Sequence, residues 1–271
     1  MTDNPADEIV GQHASIRREY RDQAASWGRR PISADLTWVV EQVPWQADWR
    51  VLDVAGGTGL FARAIAACVG SVVVVDLTAE MLEQGKAQVQ ASKISNVEFE
   101  QGAAEQLPFP DGSFDAVVTR YTIHHFRHPV MALREMARVC RPGGQLVVVD
   151  MVADDDSVIA ERHNGLERLA DTTHTTILSP RRLISEIVDA GFSLETYLSR
   201  EVEKVFNNWQ PQLAIDSAER QTIRDALTRE LRGEGDPTGL RPILRGDVLA
   251  FRHTWGIVVA RRRLAPAHIQ R

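Results

Sequence analysis

Short runs rich in β-branched residues alternate with longer segments of helical periodicity across residues 51–149. Strands that alternate with helices form parallel βαβ units, and the apolar runs Val72–Val75 and Leu146–Val149 are typical of central strands covered on both faces. The sequence therefore predicts an α/β fold with a doubly wound, mostly parallel sheet. The predicted strands are Val51–Val54, Ser71–Val75, Phe114–Thr119 and Gln145–Val149, and the predicted helices are Leu60–Val69, Ala79–Ala91 and Pro129–Val139.

The segments on either side of this core have a different pattern. Amphipathic helical periodicity at Asp7–Trp27 and Ser33–Val43 predicts a helical lid before the first strand. A more polar stretch follows the core, and Val248–Arg261 then predicts a last strand, antiparallel to the others. No repeat or long linker divides the chain, so residues 1–271 are interpreted as one domain. Its predicted parts are the lid 1–48, the core 49–152, the cap 153–246, and the last strand with its tail 247–271.

The composition excludes several broad classes. With 44% hydrophobic and 25% charged residues, the chain is typical of a globular protein. Its net charge of -6 argues against a nucleic-acid partner, and the lack of an apolar leader or spanning segment predicts a cytoplasmic protein with no membrane partner. Cys68 and Cys140 have no zinc-type spacing and are predicted to be buried. The run Asp154–Asp156 lacks calcium-loop spacing and predicts a solvated turn, so no metal site is predicted.

A glycine-rich turn between the first strand and the first core helix carries the chemistry. Gly56, Gly57 and Gly59 follow Val51–Val54 directly, and such a turn lets a ligand approach unpaired N–H groups at the helix start. Asp76 ends the second strand nineteen residues after Gly57. An acid there can accept hydrogen bonds from both hydroxyls of a ribose, so a nucleoside-containing cofactor is predicted.

Two cofactor classes fit this turn. The segment Gly57–Ala62 satisfies the dinucleotide fingerprint G-x-G-x-x-G/A, which keeps a nicotinamide dinucleotide open. Asp53, however, places a carboxylate beside the turn, where it would repel a pyrophosphate and attract the ammonium group of an amino acid. The charge of Asp53 favours S-adenosylmethionine.

These stretches resemble the class I S-adenosylmethionine-dependent methyltransferases, in particular the type 11 group that includes quinone-biosynthesis C-methyltransferases and bacterial small-molecule methyltransferases. The resemblance runs from about Tyr20 to Phe192 and implies a Rossmann-like fold with residues 49–152 as the cofactor-binding core. The family usually has Gly-Cys-Gly where this chain has Ala55-Gly56-Gly57. The other matching segments are Asp76–Leu82, Gln101–Phe109, Phe114–Val118 and the lid segment Gln23–Trp27.

The resemblance implies further cofactor contacts. Leu77 is expected against the adenine, and Met81 lies in the same segment. Many relatives have Asp where Ala103 stands, so backbone groups near Ala104, or Glu105, would receive the adenine amino group here. Trp27 stands where a lid tyrosine is common; it either faces the sulfonium by a cation–π contact or only packs the lid helix.

Methyl transfer needs an in-line approach and, for a hydroxyl or acidic carbon acceptor, a base. His124 and His125 follow the fourth strand, and His174 lies in the cap; each is a candidate base, and the alternative is a structural role for the pair and a surface loop for His174. Arg120 either lines the methionine end of the cofactor, steers an anionic substrate, or forms a salt bridge.

The predicted activity is methyl transfer from S-adenosylmethionine, with S-adenosylhomocysteine as product, to the oxygen or carbon of a small molecule such as a natural product or quinone-like compound. Three alternatives stay open: a cyclase or rearrangement catalyst that uses the sulfonium as a fixed charge, a nicotinamide-dependent oxidoreductase, and a binding module without activity. Product analysis separates the first, because only methyl transfer releases S-adenosylhomocysteine. The sequence leaves the acceptor and the oligomeric state open.

Overall fold

The structure is a computed structural model that describes residues 5–29, 31–209 and 217–264. Within these ranges, eight strands form one sheet in the order β3-β2-β1-β4-β5-β8-β6, and β7 pairs with β8. The strands are β1 Arg50–Val54, β2 Ser71–Asp76, β3 Val97–Gln101, β4 Phe114–Arg120, β5 Cys140–Met151, β6 Phe192–Val205, β7 Ile243–Arg245 and β8 Val248–Arg262.

The pairing confirms a mostly parallel, doubly wound sheet. Strands β1 to β5 pair in parallel, whereas β8 runs antiparallel to both β5 and β6. The described helices are α1 Pro5–Gly28, α2 Ala34–Glu41, α3 Leu60–Ile65, α4 Ala79–Ala91, α5 Pro129–Val139, α6 Ser157–Ala170, α7 Pro180–Asp189 and α8 Ser217–Leu231. None of the helices in the described ranges is both long and apolar enough to span a bilayer.

The central strands are buried because both faces of the sheet are covered. In β1, Val51 packs into one hydrophobic cluster and its neighbour Leu52 into another, as alternating side chains of a strand must. The first cluster also holds Phe61 of α3, and the second holds Leu133 of α5. Helices therefore cover both faces, and this arrangement exposes the carboxyl ends of β1, β2 and β4 along one edge.

The predicted cap 153–246 requires correction. Its segment Phe192–Val205 is strand β6, which pairs with β8 along its length, and Leu183 and Ile187 of α7 lie in a core cluster of the sheet. Strand β6 escaped prediction because many of its side chains are polar and exposed, as on an edge strand. Outside this segment, the predicted cap contains helices α6 and α8, whereas Ile243–Arg245 is strand β7 and pairs with β8.

The cap elements have a small core of their own. Phe206, Trp209, Ile223 and Leu227 pack with Phe251 of β8 in a cluster distinct from the two clusters of the sheet. Trp209 is therefore a core residue rather than a wall of the cofactor cavity.

Two local predictions differ in outcome. The run Asp154–Asp156 is exposed, as predicted, and Asp156 Oδ1 accepts from the N–H of Val158 at 2.8 Å to cap α6. Cys140 is buried, whereas Cys68, which follows α3, is exposed. The prediction that Cys68 is buried was wrong.

Candidate functional site

A cavity opens at the carboxyl ends of β1, β2 and β4, beneath helix α1. Its wall is formed by the β1–α3 turn, the end of β2, the loop after β3, the residues after β4, and one face of α1. In an open parallel sheet, this is the edge at which ligands bind.

The glycine turn supplies a floor with little side-chain bulk. Gly56 and Gly57 line the cavity. A Cβ at Gly56 would lie 2.7 Å from Cγ of Asp53, so this position requires glycine, and Gly57 has a φ of 56°, which favours glycine. Gly59 is absent from the cavity wall; it precedes α3 with a φ of 65° and lies against Phe99. Its role is to start the helix rather than to contact a ligand.

Asp53 lies behind the turn, not on the cavity wall. The residue is fully buried, and its Oδ2 accepts from the N–H of Ala62 at 3.2 Å. Its Oδ1 has no hydrogen-bond partner among the described residues. Burial raises the pKa of Asp53 to about 7, although the charge of Arg120 and the Ala62 N–H oppose this shift. The sequence predicted that Asp53 contacts the cofactor directly. The structure instead places Asp53 behind the turn, as a buried acid whose ionised form a nearby cation would stabilise.

Asp76 is on the cavity wall at the end of β2. Its Oδ2 accepts from the N–H of Gly57 at 2.8 Å, and its Oδ1 accepts from the N–H of Thr78 at 2.9 Å. Burial raises its pKa, while these backbone N–H groups oppose the shift. Both carboxylate oxygens keep a further lone pair, so the group can accept from two more donors. Leu77 and Met81 line the cavity beside it.

The loop after β3 closes the next part of the wall. Ala103, Ala104 and Glu105 line the cavity, as the sequence predicted for the adenine end. Glu105 Oε2 lies 3.1 Å from Nε2 of His13 on α1, so this carboxylate joins the loop to the helix above.

Helix α1 lines the cavity with one of its faces. Trp27 belongs to this face, as predicted, and its indole N–H donates to Gln23 Oε1 at 3.1 Å. Four further residues of α1 were missed by sequence reasoning: Gln12, His13, Ile16 and Tyr20. The signal was present, because Gln12, Ile16 and Tyr20 are spaced by four and share one helical face. Thr122 and Phe126 after β4 were missed as well.

Of the three candidate histidines, only His125 reaches the cavity. Its Nε2 lies 3.0 Å from the hydroxyl of Tyr20, and its Nδ1 lies 3.3 Å from the carbonyl of Thr173. A carbonyl can only accept, so Nδ1 carries the proton and Nε2 accepts from the Tyr20 hydroxyl. Burial and the neighbouring His124 lower the pKa of His125 to about 4, which leaves the ring neutral at pH 7.

The other two histidines point elsewhere. His124 Nδ1 lies 2.6 Å from Oδ1 of buried Asp150, and this carboxylate raises the pKa of His124 against the effect of burial. His174 Nε2 lies 2.9 Å from Oδ1 of Asn164, and burial lowers the pKa of His174 to about 2. Neither residue lines the cavity, because the short 3-10 turn at Ile123–His125 directs only its last residue inward. The structure therefore favours a structural role for His124, and it shows His174 buried rather than in an exposed loop.

Arg120 lines the cavity at the end of β4. Its guanidinium carbon lies 4.6 Å from the ring centroid of Tyr121, and its charge opposes the raised pKa of Asp53. The buried acid Asp53 and the cation Arg120 thus place ionisable groups of opposite charge beneath the glycine turn.

These features fit an amino-acid-bearing nucleoside. The unpartnered Oδ1 of Asp53 suits a nearby cation, Gly57 leaves open space where a Cβ would project, and Asp76 suits a pair of hydroxyls. S-adenosylmethionine carries a cationic ammonium group and a ribose with two hydroxyls.

Comparison with known proteins agrees with this geometry. A family model described as a methyltransferase domain matches residues 52–148. The uncharacterized methyltransferase YcgJ of Bacillus subtilis is 41% identical over 183 residues, which cover 68% of this chain and 69% of YcgJ. This chain belongs to the S-adenosylmethionine-dependent methyltransferases. The cofactor of this methyltransferase is thus S-adenosylmethionine, with S-adenosylhomocysteine as product, rather than a nicotinamide dinucleotide.

Further relatives support the same family and fold. The ubiquinone/menaquinone biosynthesis C-methyltransferase UbiE of Pseudomonas syringae is 35% identical over 170 residues, covering 55% of this methyltransferase and 66% of UbiE. The crystal structure of YcgJ has a TM-score of 0.77 at 28% identity, over 85% of this chain and 98% of YcgJ. That of BH2331 from Bacillus halodurans has a TM-score of 0.78 at 28% identity, over 86% of this chain and 100% of BH2331.

Proposed function

We propose that this methyltransferase methylates an acidic O–H or C–H group of a small-molecule acceptor, held at the end of the cavity next to Tyr20 and His125. The observation that carries the proposal is the 3.0 Å contact between the Tyr20 hydroxyl and Nε2 of His125, since it brings a proton acceptor to the cavity wall. An O- or C-methyl product of this kind, from a phenol, an enol or a quinone-like compound, is the expected outcome.

The residues of the cavity wall have separate proposed roles in cofactor binding. Asp76 would accept from the ribose hydroxyls, and Gly56 and Gly57 would lie against the amino-acid portion, with Asp53 and Arg120 setting the charge beneath it. When bound, S-adenosylmethionine supplies an electrophilic methyl group on a sulfonium. The adenine contacts fall to residues that line the next part of the wall, namely Leu77, Met81, Ala103, Ala104 and Glu105, and Trp27 would lie over the cofactor from α1.

The base proposed for the reaction is His125. Because its Nδ1 proton is directed to the Thr173 carbonyl, its Nε2 lone pair can take the proton of the Tyr20 hydroxyl while the oxygen of that hydroxyl takes the proton of an acceptor hydroxyl. A pKa of about 4 makes His125 a weak base, which can remove a proton efficiently only from an acceptor that is itself acidic. The weakness of the base thus favours phenols, enols and 1,3-dicarbonyl compounds over simple alcohols.

The cover formed by α1 supports a small acceptor rather than a macromolecule. Gln12 of α1 donates to the carbonyls of His125 at 3.1 Å and Thr173 at 2.8 Å, and His13 contacts Glu105 at the opposite wall. These contacts close α1 over the cavity. Closure excludes water, which strengthens electrostatic interactions at the sulfonium and protects the proton transfer.

The test is a product screen. The purified chain would be incubated with S-adenosylmethionine and a panel of phenols, quinols and 1,3-dicarbonyl compounds, and S-adenosylhomocysteine and the methylated product would be quantified by mass spectrometry. NMR of the product would assign the methyl group to oxygen or carbon. Turnover of acidic acceptors but not of aliphatic alcohols is expected. Turnover of alcohols alone, or conversion of substrate without S-adenosylhomocysteine release, would contradict the proposal.

A further inference from the structure

A second group of chemically active side chains lies outside the cofactor cavity. His163 and Glu167 are four residues apart on α6, and His253 lies on β8. All three are at most 3% exposed, and their potential ligand atoms lie within 4.8 Å of one another. Sequence reasoning predicted no metal site, because Glu167 and His253 are separated by 86 positions.

The distances suit ligands of one ion. Glu167 Oε1 lies 2.9 Å from Nε2 of His253 and 3.5 Å from Nε2 of His163. Ligand atoms bound to one zinc ion at bonds of about 2.0–2.1 Å are roughly 3.3 Å apart in a tetrahedral site. Both separations are close to this value, and all three potential ligand atoms lie within 4.8 Å of one another.

His163 provides an independent observation. Both of its ring nitrogens are buried and have no hydrogen-bond partner among the described residues. The 3.5 Å approach of its Nε2 to Glu167 is an ion-pair distance without hydrogen-bond geometry. A buried imidazole without partners is costly, and native structures rarely leave one so. A lone pair of one ring nitrogen directed at an ion would account for that nitrogen and for its distance from Glu167.

The surroundings exclude competing partners. The His253 ring lies 5.1 Å from the ring of Phe251 and 6.3 Å from that of Trp209, in the apolar cluster of the cap. Two imidazoles and a carboxylate in such a setting are a donor set of borderline softness, which Zn²⁺ prefers and which Mg²⁺ and Ca²⁺ do not.

We propose that His163, Glu167 and His253 bind one Zn²⁺ ion that joins α6 to β8. This site is separate from the cofactor cavity and stabilises the cap against the sheet. Because it is buried, the ion enters as the chain folds or as the cap opens. The proposal does not depend on the identity of the methyl acceptor.

The experiment uses the full, tag-free chain with Cys68→Ser, which removes an exposed thiol that could bind zinc by itself. After treatment with a chelator, the chain is titrated with Zn²⁺ in competition with a chromogenic chelator, and the melting temperature is measured with and without the ion. One Zn²⁺ per chain and a higher melting temperature are expected. Co²⁺ in place of Zn²⁺ should give visible d–d absorption bands.

His163→Leu is the decisive variant. It removes a ligand but keeps the hydrogen bond between Glu167 and His253, and it places an apolar group in an apolar setting, so the chain should fold. Zinc affinity should fall by more than the roughly 10–100-fold that loss of an outer-shell partner costs, and the cobalt bands should disappear. His128→Ala, at a partly exposed histidine, is the matched control and should bind Zn²⁺ like the parent chain.

Glu167→Gln provides a second test should His163→Leu fail to fold, judged by circular dichroism; it should weaken Zn²⁺ binding in the same way. The proposal is overturned if the folded parent chain takes up no Zn²⁺ at one equivalent. It is also overturned if a folded His163→Leu or Glu167→Gln chain binds Zn²⁺ as tightly as the parent.

Discussion

The N–H of Gly57 donates to Oδ2 of Asp76 across 2.8 Å, and this bond fixes the end of β2 against the turn that follows β1. The acid proposed to bind the ribose is therefore oriented by the same turn that is proposed to hold the amino-acid portion of the cofactor. Because the bond leaves lone pairs on both carboxylate oxygens, orientation and ligand binding do not compete.

Replacing Asp76 with alanine should weaken S-adenosylmethionine binding at least tenfold. The reason is the loss of the proposed ribose hydrogen bonds, worth on the order of 1.4 kcal/mol or more. Isothermal titration calorimetry with S-adenosylmethionine and S-adenosylhomocysteine measures the effect. Asp155→Asn, at an exposed acid far from the glycine turn in sequence, is the control and should keep parental affinity. Equal affinity in Asp76→Ala would remove Asp76 from the binding site.

Replacing Tyr20 with phenylalanine should lower kcat about 10–100-fold with little change in the KM for S-adenosylmethionine. The hydroxyl of Tyr20 is the group that contacts Nε2 of His125, so its removal interrupts the proposed proton path from the acceptor to the base. Steady-state kinetics with an acceptor from the product screen measures the change. Tyr197→Phe, at a half-buried tyrosine of β6 outside the cavity wall, should leave kcat unaltered.

The two residues should also act as a unit. Combining Tyr20→Phe with His125→Ala should be no worse than His125→Ala alone, because Tyr20 is proposed to act through His125. Losses that multiply in the double variant would show that Tyr20 acts independently of His125.

Asp53 should make the stability of the free protein fall as pH rises. Its native pKa of about 7 lies above the ordinary value of 3.8, so the native state holds a proton that the unfolded chain releases. The associated stability is complete below about pH 4 and is lost as pH rises through about 7. Asp53→Asn lacks this dependence and should exceed the parent chain by about 2–4 kcal/mol above pH 8.

Chemical denaturation of both chains at several pH values between 5 and 8.5 tests this prediction. The stability difference between Asp53→Asn and the parent should widen from pH 5 to about pH 7 and then level off. A difference that stays constant with pH would mean that Asp53 is ionised in the native protein throughout. Asp115→Asn is a suitable comparison, because the pKa of Asp115 is lowered, chiefly by the Arg50 N–H and Arg141 against the effect of burial.

The sequence predicts those strands whose side chains are buried on both faces of the sheet. Strands β1, β2, β4 and β5 were found because their apolar runs are covered on both faces, whereas β3 and β6 are the edges of the sheet and mix polar with apolar residues. A strand is predicted from the residues of the segment itself, whereas an edge strand forms because a neighbouring strand pairs with it.

The same distinction applies to the site. The glycine turn and Asp76 were predictable, because the spacing of a β-α-β unit is fixed by the fold. The pairing of Tyr20 with His125 spans 105 positions and depends on how α1 lies over the cavity. Whether His124 or His125 faces inward depends on the rotation of one short turn, which residue type does not encode.

Ala55 offers a last prediction, because it occupies a position where the family resemblance points to glycine. Its φ is 51°, in the left-handed region, where a Cβ costs about 1–2 kcal/mol. Ala55→Gly relieves this strain but gains backbone entropy in the unfolded chain, so a net stabilisation of about 0.5–1 kcal/mol is expected by urea denaturation. Ala87→Gly, at an exposed position inside α4, should instead destabilise the chain by about 1 kcal/mol. If both variants lost stability equally, the left-handed conformation of Ala55 would carry no strain, and the glycine of its relatives would need another explanation.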